Sequence, residues 1–182
     1  MDVKINQATI SVVQGDITKQ TKNAIVNAAN SSLMGGGGVD GAIHRAGGPT
    51  ILEECKKIVA RQGRLPTGQA VITTGGNLTA KHVIHTVGPI WGGGDKNEAA
   101  LLASAYTESL RIAAENDLSS ISFPSISTGA YRYPLEEAAE VAIKAIISFL
   151  KGGQSSLRQV AIVAFGERPA AAYNAALRQN AE

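Results

Sequence analysis

The sequence predicts an α/β fold in which helices cover both faces of a mixed sheet. Short apolar runs typical of strands alternate with longer segments whose apolar residues recur at helical spacing. The run Ala24–Ala28 is almost wholly apolar, as expected for a strand buried on both faces. Neither an internal repeat nor a low-complexity linker interrupts the 182 residues, so we expect one domain over residues 1–182.

The first half of the chain is predicted to contain four strands and two helices. One helix follows the glycine run at Gly35 to Gly38, and the other covers residues 51–62. Thr50 and Glu53 form a capping-box signature at the start of this second helix, and Gly63 ends it. The predicted strands of this half cover residues 9–14, 24–28, 70–74 and 82–87.

In the second half, helices are expected over residues 98–114, 134–150 and 169–179, with strands at 121–123 and 160–165. Pro134 suits a first helical position, where its missing N–H costs nothing. The first two predicted strands have no helix between them, which favours a mixed sheet. Ligands of such folds bind beyond the carboxyl ends of strands.

Composition excludes several classes of function. A single cysteine, Cys55, rules out an internal disulfide and a cysteine-rich zinc site. A formal charge of +2 with 4% aromatic residues argues against nucleic acid as a partner. No stretch approaches the roughly 20 apolar residues that span a bilayer, and no signal peptide is apparent. We therefore expect a soluble cytoplasmic protein that has no membrane partner.

The glycine run predicts a phosphate site. Glycines before a helix let backbone N–H groups approach a ligand closely, and the helix N-terminus favours an anion. Gly36, Gly38 and Gly41 also match the dinucleotide fingerprint GxGxxG, but the run starts well after its strand has ended. The acidic residue expected about 20 positions later is also missing near Gln62. A dinucleotide-binding dehydrogenase is therefore disfavoured.

A second loop rich in hydroxyl groups, Ser125 to Gly129, follows another predicted strand. Its hydroxyls and amides suit the other side of a diphosphate. It also partly matches the nucleophile motif GxSxG, although serine replaces the first glycine. A serine hydrolase would need a histidine base beside Ser127, and nothing in the sequence places one there. Two phosphate loops at one edge of the sheet indicate a pyrophosphate ligand.

Six short motifs occur in order along nearly the whole chain. Together they resemble the macrodomain family, MacroD type, close to the bacterial O-acetyl-ADP-ribose deacetylases. The resemblance implies a three-layer α/β/α fold with a mixed, mostly parallel central sheet. It also implies a cleft for ADP-ribose or O-acetyl-ADP-ribose and hydrolysis of an ester on the distal ribose. The motifs are GDIT (15–18), VNAAN (26–30), SLMGGGGVDGAIHRAGG (32–48), PTG (66–68), HTVGPIW (85–91) and ISTGAYRYP (126–134).

The resemblance also implies which residues bind the nucleotide. Asp16 would accept a hydrogen bond from the adenine amino group beside the Ile17 amide, and Phe165 would pack on the adenine ring. Without the family, Asp16 would be interpreted as a cap or turn residue, and Phe165 as part of the core. The residues expected along the two diphosphate loops are Gly37, Gly38, Val39, Gly41, Ala42, Ser127, Thr128, Gly129, Ala130 and Tyr131.

For catalysis the resemblance implies an asparagine and aspartate pair, Asn30 and Asp40, with Asn27 also meeting the distal ribose. Asp40 would orient or deprotonate the attacking water. A helix N-terminus stabilises its charged form, so positioning is expected to outweigh base strength. His44 lies one helical turn beyond Asp40 and would support it. Neither cofactor nor metal is expected, since His82 and His85 should point to opposite faces of a strand.

Several alternatives stay open at the sequence level. The protein could recognise ADP-ribose without cleaving it, as macrodomains that lack one member of the pair do. It could instead remove phosphate from ADP-ribose-1″-phosphate or act through a regulatory protein partner. The substrate could also be an ester-linked ADP-ribosylated protein. Arg132 stands where many relatives have glycine, so its role is left open.

Overall fold

Seven strands form one sheet in the computed structural model, which describes residues 1–181. They are β1 (Asp2–Ile5), β2 (Ala8–Gln14), β3 (Ala24–Ala28), β4 (Ala70–Thr74), β5 (His82–Thr86), β6 (Ser120–Phe123) and β7 (Gln159–Ala164). Their order across the sheet is β1-β2-β7-β6-β3-β5-β4. The five inner strands are parallel, and each edge strand is antiparallel to its neighbour.

This arrangement confirms the mixed, mostly parallel sheet. The sequence argument for it, that the first two predicted strands have no helix between them, is wrong. The two leading predicted strands, β2 and β3, are not neighbours, because β7 and β6 lie between them. The antiparallel pairs are found only at the edges, where β1 meets β2 and β4 meets β5.

The helices are α1 (Gly38–Gly47), α2 (Pro49–Gln62), α3 (Glu98–Glu115), α4 (Leu135–Lys151) and α5 (Glu167–Asn180), with a 3₁₀ turn at Ile17–Lys19. Alternate strand residues face opposite sides of a sheet. Ile25, Val83 and Val163 pack with α1 and α2 on one side. Val26 and Ile162 pack with α3, α4 and α5 on the other. The three-layer α/β/α prediction is confirmed.

Two local predictions are wrong. β1 was not expected, since it is a short, half-exposed edge strand that gains its structure only by pairing with β2 after a turn at Asn6. The capping box at Thr50 and Glu53 does not form. Gly48 is the N-cap, with φ +76°, and Pro49 takes the first helical position, so Thr50 already lies inside α2.

Parallel strands bring five loops to one edge of the sheet. The carboxyl ends of β2, β3, β5, β6 and β7 all open there. The glycine run follows β3, and the Ser125 to Gly129 loop follows β6. In the described part of the chain, none of the helices has the length and apolar character needed to cross a bilayer.

Candidate functional site

Helix α1 begins inside the glycine run. Gly37 is its N-cap, and the Gly41 N–H donates to the Gly37 carbonyl at 3.1 Å. The amides of Gly38, Val39 and Asp40 precede that first helical bond, so they are available to a ligand. Gly37 and Gly38 are exposed and Val39 is half-buried. Backbone amides at a helix N-terminus favour an anion, so this geometry is compatible with the predicted phosphate site.

Gly41 and Ala42 continue the first turns of α1. Gly41 is buried and Ala42 is half-buried. A Cβ atom on Gly41 would overlap the Gly36 carbonyl oxygen. The glycine at this position therefore allows the loop to lie directly against the helix, which fixes where the loop amides point.

The side chains of Asn30 and Asp40 converge at Gly36. A Cβ built on Gly36 would lie 3.3 Å from Asp40 Oδ2 and 3.5 Å from Asn30 Nδ2. The Asn30 amide is oriented by its own loop, because Nδ2 donates to the Gly35 carbonyl at 2.9 Å and Oδ1 accepts from the Ser32 N–H at 3.1 Å. Nδ2 has a second hydrogen, which a ligand hydroxyl can accept.

Asp40 is buried, and two side chains lie close to its Oδ1 atom. Asn27 Nδ2 donates to it at 2.8 Å, and His44 Nε2 lies 3.4 Å from it. The expected proximity of His44 to Asp40 is thus confirmed. Asn27, however, is completely buried, so the expectation that it meets the distal ribose directly is corrected. Its amide lies behind Asp40 because β3 directs this side chain beneath α1.

The histidines are arranged differently from the sequence expectation, which compared only His82 with His85. His44, Cys55 and His85 come from α1, α2 and β5, and their nitrogen and sulfur atoms lie within 4.8 Å of one another. These residue types bind zinc. Burial, and secondarily the carboxylates of Asp40 and Glu54, raise the pKa of the Cys55 thiol to about 11, so this side chain is a protonated thiol when no metal is bound.

Asp16 caps the 3₁₀ turn, as its position before Thr18 indicates. Its Oδ1 accepts from the Thr18 hydroxyl at 2.7 Å and from the Thr18 N–H at 2.9 Å, and these bonds lower the pKa of the carboxyl. Both bonds end on Oδ1, so Oδ2 can accept from a ligand. The Ile17 side chain is buried beside it.

Phe165 lies just after β7 and is 87% exposed, so the interpretation of this ring as core is wrong. Burying an aromatic ring is strongly favourable, and a ring left this exposed at the carboxyl edge offers a flat apolar surface. The exposure is what a residue that stacks on an adenine requires.

Side-chain hydrogen bonds hold the base of the loop after β6 in place. Thr128 Oγ1 and Ser125 Oγ are 2.6 Å apart, and Ser125 Oγ lies 2.7 Å from the Tyr173 hydroxyl. Gly129 and Ala130 are exposed, and Tyr131 is half-buried with its carbonyl accepting from the Trp91 N–H at 2.8 Å. The loop thus presents its tip to solvent on a fixed base.

Ser127 is buried in a left-handed conformation, with φ +69°. Its hydroxyl has no hydrogen-bond partner within residues 1–181, so no histidine there is placed to activate it. The described residues therefore give the serine-hydrolase alternative no support. Arg132 is exposed and has φ +63°, a conformation that favours glycine.

Comparison with known proteins shows the family of this chain. The family model described as "Macro domain" matches residues 26–142. The chain belongs to the macrodomain family. It is 53% identical over 173 residues to the O-acetyl-ADP-ribose deacetylase of Escherichia coli, covering 95% of this chain and 97% of that protein.

Solved macrodomains share the fold. A macrodomain of Oceanobacillus iheyensis with ADP has a TM-score of 0.93 at 47% identity and covers 98% of this chain and 95% of its own. A macrodomain of Trypanosoma brucei in complex with ADP-ribose has a TM-score of 0.84 at 38% identity, covering 92% of this chain and 68% of its own.

One structural feature beside the candidate site of this macrodomain has no recognisable signal in the sequence. Glu98, the first residue of α3, accepts from the backbone N–H groups of Gly92, Gly94 and Lys96 at 2.8, 2.9 and 2.6 Å. These bonds, that of Gly94 above all, lower the pKa of the carboxyl to about 2. Glu98 therefore fixes the loop after β5, whose Trp91 N–H holds the Tyr131 carbonyl.

We expect this carboxylate to make the macrodomain sensitive to acid. Because its folded pKa lies below the ordinary value of 4.5, its contribution is present above about pH 4.5 and disappears as the pH falls towards 2. Glu98→Gln should lower the Tm at neutral pH and flatten the fall of Tm between about pH 5 and pH 2.5. Calorimetry across that range, with the exposed Glu53→Gln as control, checks this. Parallel profiles for wild type and Glu98→Gln would contradict it.

Proposed function

We propose that this macrodomain binds ADP-ribose and hydrolyses an ester on its distal ribose, with O-acetyl-ADP-ribose as the substrate. The observation that carries the proposal is the convergence of Asn30 and Asp40 at Gly36, beside the amides that begin α1. An anion site next to a carboxylate and an amide suits a ligand with a diphosphate and a reactive sugar. The name of the Escherichia coli relative describes the same reaction.

The nucleotide would lie along the carboxyl edge of the sheet. The adenine packs against Phe165, with its amino group donating to Asp16 Oδ2 and its ring accepting from the Ile17 N–H. The exposure of Phe165 and the two bonds that fix Asp16 Oδ1 support this end. The diphosphate lies between the start of α1 and the tip of the loop after β6. The residues proposed around it are Gly37, Gly38, Val39, Gly41, Ala42, Ser127, Thr128, Gly129, Ala130 and Tyr131.

The proposed reaction needs only water and the Asn30 and Asp40 side chains. Asp40 Oδ2 accepts a hydrogen bond from a water, whose oxygen attacks the acyl carbonyl carbon. Asp40 takes a proton from this water during the attack. The tetrahedral intermediate collapses with cleavage of the bond between acyl carbon and ribose oxygen, and that oxygen takes the proton from Asp40. Asn30 Nδ2 donates to a ribose hydroxyl and holds the sugar in place. The products are the carboxylic acid and ADP-ribose.

A cytoplasmic location is part of the proposal, because the one cysteine is a buried thiol that suits a reducing compartment. ADP-ribosylated proteins are a second possible source of the same ester. The glutamate or aspartate ester of an ADP-ribosyl group presents an acyl carbon on the same sugar, so the chemistry of the site is common to both.

Titration calorimetry with ADP-ribose, ADP and NAD, followed by a deacetylation assay with O-acetyl-ADP-ribose, tests the proposal. We expect ADP-ribose to bind most tightly and the wild type to release acetate, whereas Asn30→Ala should bind but turn over slowly. Binding without any release of acetate would instead indicate a reader of ADP-ribose. Cleavage of an ADP-ribosyl-glutamate peptide alone, or of ADP-ribose-1″-phosphate alone, would reassign the substrate.

A further inference from the structure

We propose that Asn27, His85 and Thr73 form a buried hydrogen-bond chain that determines which oxygen of Asp40 faces the substrate. The inference rests on the proposed function and identifies positioning residues for the same site. Asn27 and His85 are register partners on the neighbouring strands β3 and β5, and Thr73 lies on the adjacent strand β4. Asn27 and His85 are completely buried and Thr73 is 4% exposed, so water does not compete for their bonds.

The donor and the acceptor of each hydrogen bond can be assigned in turn, starting at the Asp40 carboxylate. A carboxylate only accepts, so the Asn27 atom 2.8 Å from Asp40 Oδ1 must be the amide nitrogen. The second hydrogen of that nitrogen points at His85 Nδ1, 3.1 Å away, which therefore accepts. Burial, with a smaller effect of His44, lowers the pKa of His85 to about 3, so its ring is neutral and carries its one hydrogen on Nε2.

The far end of the chain agrees with this assignment. His85 Nε2 lies 2.9 Å from Thr73 Oγ1, and the single hydroxyl hydrogen of Thr73 is donated to the Thr74 carbonyl at 2.9 Å. The Thr73 oxygen is thus left as an acceptor for the Nε2 hydrogen. Assigned from either end, the chain has the same tautomer.

The tautomer of His85 with its hydrogen on Nδ1 is disfavoured by the neighbouring Asn27 amide. A hydrogen on His85 Nδ1 would face the Asn27 amide nitrogen, which is also a donor. Rotating the Asn27 amide to relieve that conflict would put its oxygen against the Asp40 carboxylate. Either arrangement places two donors or two acceptors against each other. A buried polar group then lacks a hydrogen bond, which costs about 1–3 kcal/mol.

This hydrogen-bond chain explains why the two Asp40 oxygens have different surroundings. Oδ1 is occupied by Asn27, and Oδ2 is left beside Gly36 and Asn30, where the ester would lie. Asn27 and His85 act through Asp40 and touch no substrate. Zinc bound by His44, Cys55 and His85 would compete for the same ring, since coordination through His85 Nε2 removes the hydrogen that Thr73 accepts.

The spectroscopic test is independent of turnover. In ¹⁵N-labelled wild type, long-range proton–nitrogen spectra distinguish the two tautomers of a neutral histidine, and a His85→Gln sample assigns the signals. We expect His85 to carry its hydrogen on Nε2 and to remain neutral at about pH 5 as well as at pH 7, given its depressed pKa. A hydrogen on Nδ1, or an exchanging mixture, would overturn the proposal.

A matched pair of variants at Thr73 links the tautomer to the reaction. Thr73→Val keeps the shape of the side chain but removes the acceptor, whereas Thr73→Ser keeps the hydroxyl. Thr73→Val should shift His85 towards the Nδ1 tautomer and, by misplacing Asp40, lower kcat about 10-fold with little change in KM. Thr73→Ser should resemble wild type in both measurements.

A changed tautomer with unchanged kcat would contradict the inference. So would a loss of kcat in Thr73→Val without any change in the His85 spectrum. His85→Gln provides a second comparison, because its amide can accept from Asn27 and donate to Thr73, and it should retain more activity than His85→Ala. If wild type releases no acetate, the proposed function fails, while the spectrum still decides whether the chain exists.

Discussion

The Asp40→Asn protein is expected to hydrolyse O-acetyl-ADP-ribose at least about 100-fold more slowly than wild type. Asn27 Nδ2 donates to Oδ1, so the new amide should keep its oxygen there and place its NH₂ group beside Gly36. The atom that faces the ester then donates hydrogens and can no longer accept one from water. Steady-state release of acetate measures kcat and KM.

Affinity for ADP-ribose should change only a few-fold in Asp40→Asn, because the backbone amides that begin α1 are retained. Asp2→Asn, an exposed position on the edge strand β1, is the matched control and should behave as wild type. If Asp40→Asn has the wild-type kcat, Asp40 takes no part in the hydrolysis.

Gly41→Ala is expected to have the second large effect, at least a 10-fold weaker binding of ADP-ribose. Glycine to alanine inside a helix ordinarily stabilises it by about 1 kcal/mol. Here the added methyl group would overlap the Gly36 carbonyl oxygen, so the glycine loop must move. Overpacking of this kind costs about 1–3 kcal/mol of stability. The displaced loop amides no longer fit the diphosphate, and each 1.4 kcal/mol of binding free energy lost is about tenfold in Kd. Calorimetric titration and thermal unfolding measure both consequences.

Gly37→Ala separates damage to the fold from damage to the ligand site. A Cβ at Gly37 meets no protein atom within 4 Å, and its φ of −95° suits any residue. Because alanine is a poorer N-cap than glycine, this variant should unfold slightly below the wild-type temperature, whereas Gly41→Ala should unfold much earlier. If Gly41→Ala binds ADP-ribose as tightly as wild type, the loop position is not what forms the site.

Pattern and turn chemistry predicted much of the fold. The strand–helix alternation placed every inner strand of the sheet within a residue or two, because buried parallel strands are short apolar runs with clear ends. β1 was missed because four half-exposed residues carry no such signal. The capping box failed because a capping pattern does not distinguish an N-cap from the first turn when Pro49 already fixes the start of the helix.

The candidate site likewise contains features that the local sequence predicts and features that only tertiary packing determines. The glycine run and Asp40 are local features, so the sequence locates them. Asn27 was expected to contact the distal ribose and is completely buried, since which side of β3 faces α1 depends on tertiary packing. The contacts of Glu98, and the meeting of His44, Cys55 and His85, join residues distant in sequence. Such arrangements leave no periodicity or motif to read.

The crystal structure of this macrodomain soaked with ADP-ribose tests the central claim most directly. The account predicts a diphosphate hydrogen-bonded to the amides of Gly38 and Val39, adenine stacked on Phe165, and the distal ribose within hydrogen-bond distance of Asn30 Nδ2 and beside Asp40 Oδ2. A diphosphate bound away from the start of α1, or a distal ribose turned away from Asn30 and Asp40, would contradict it.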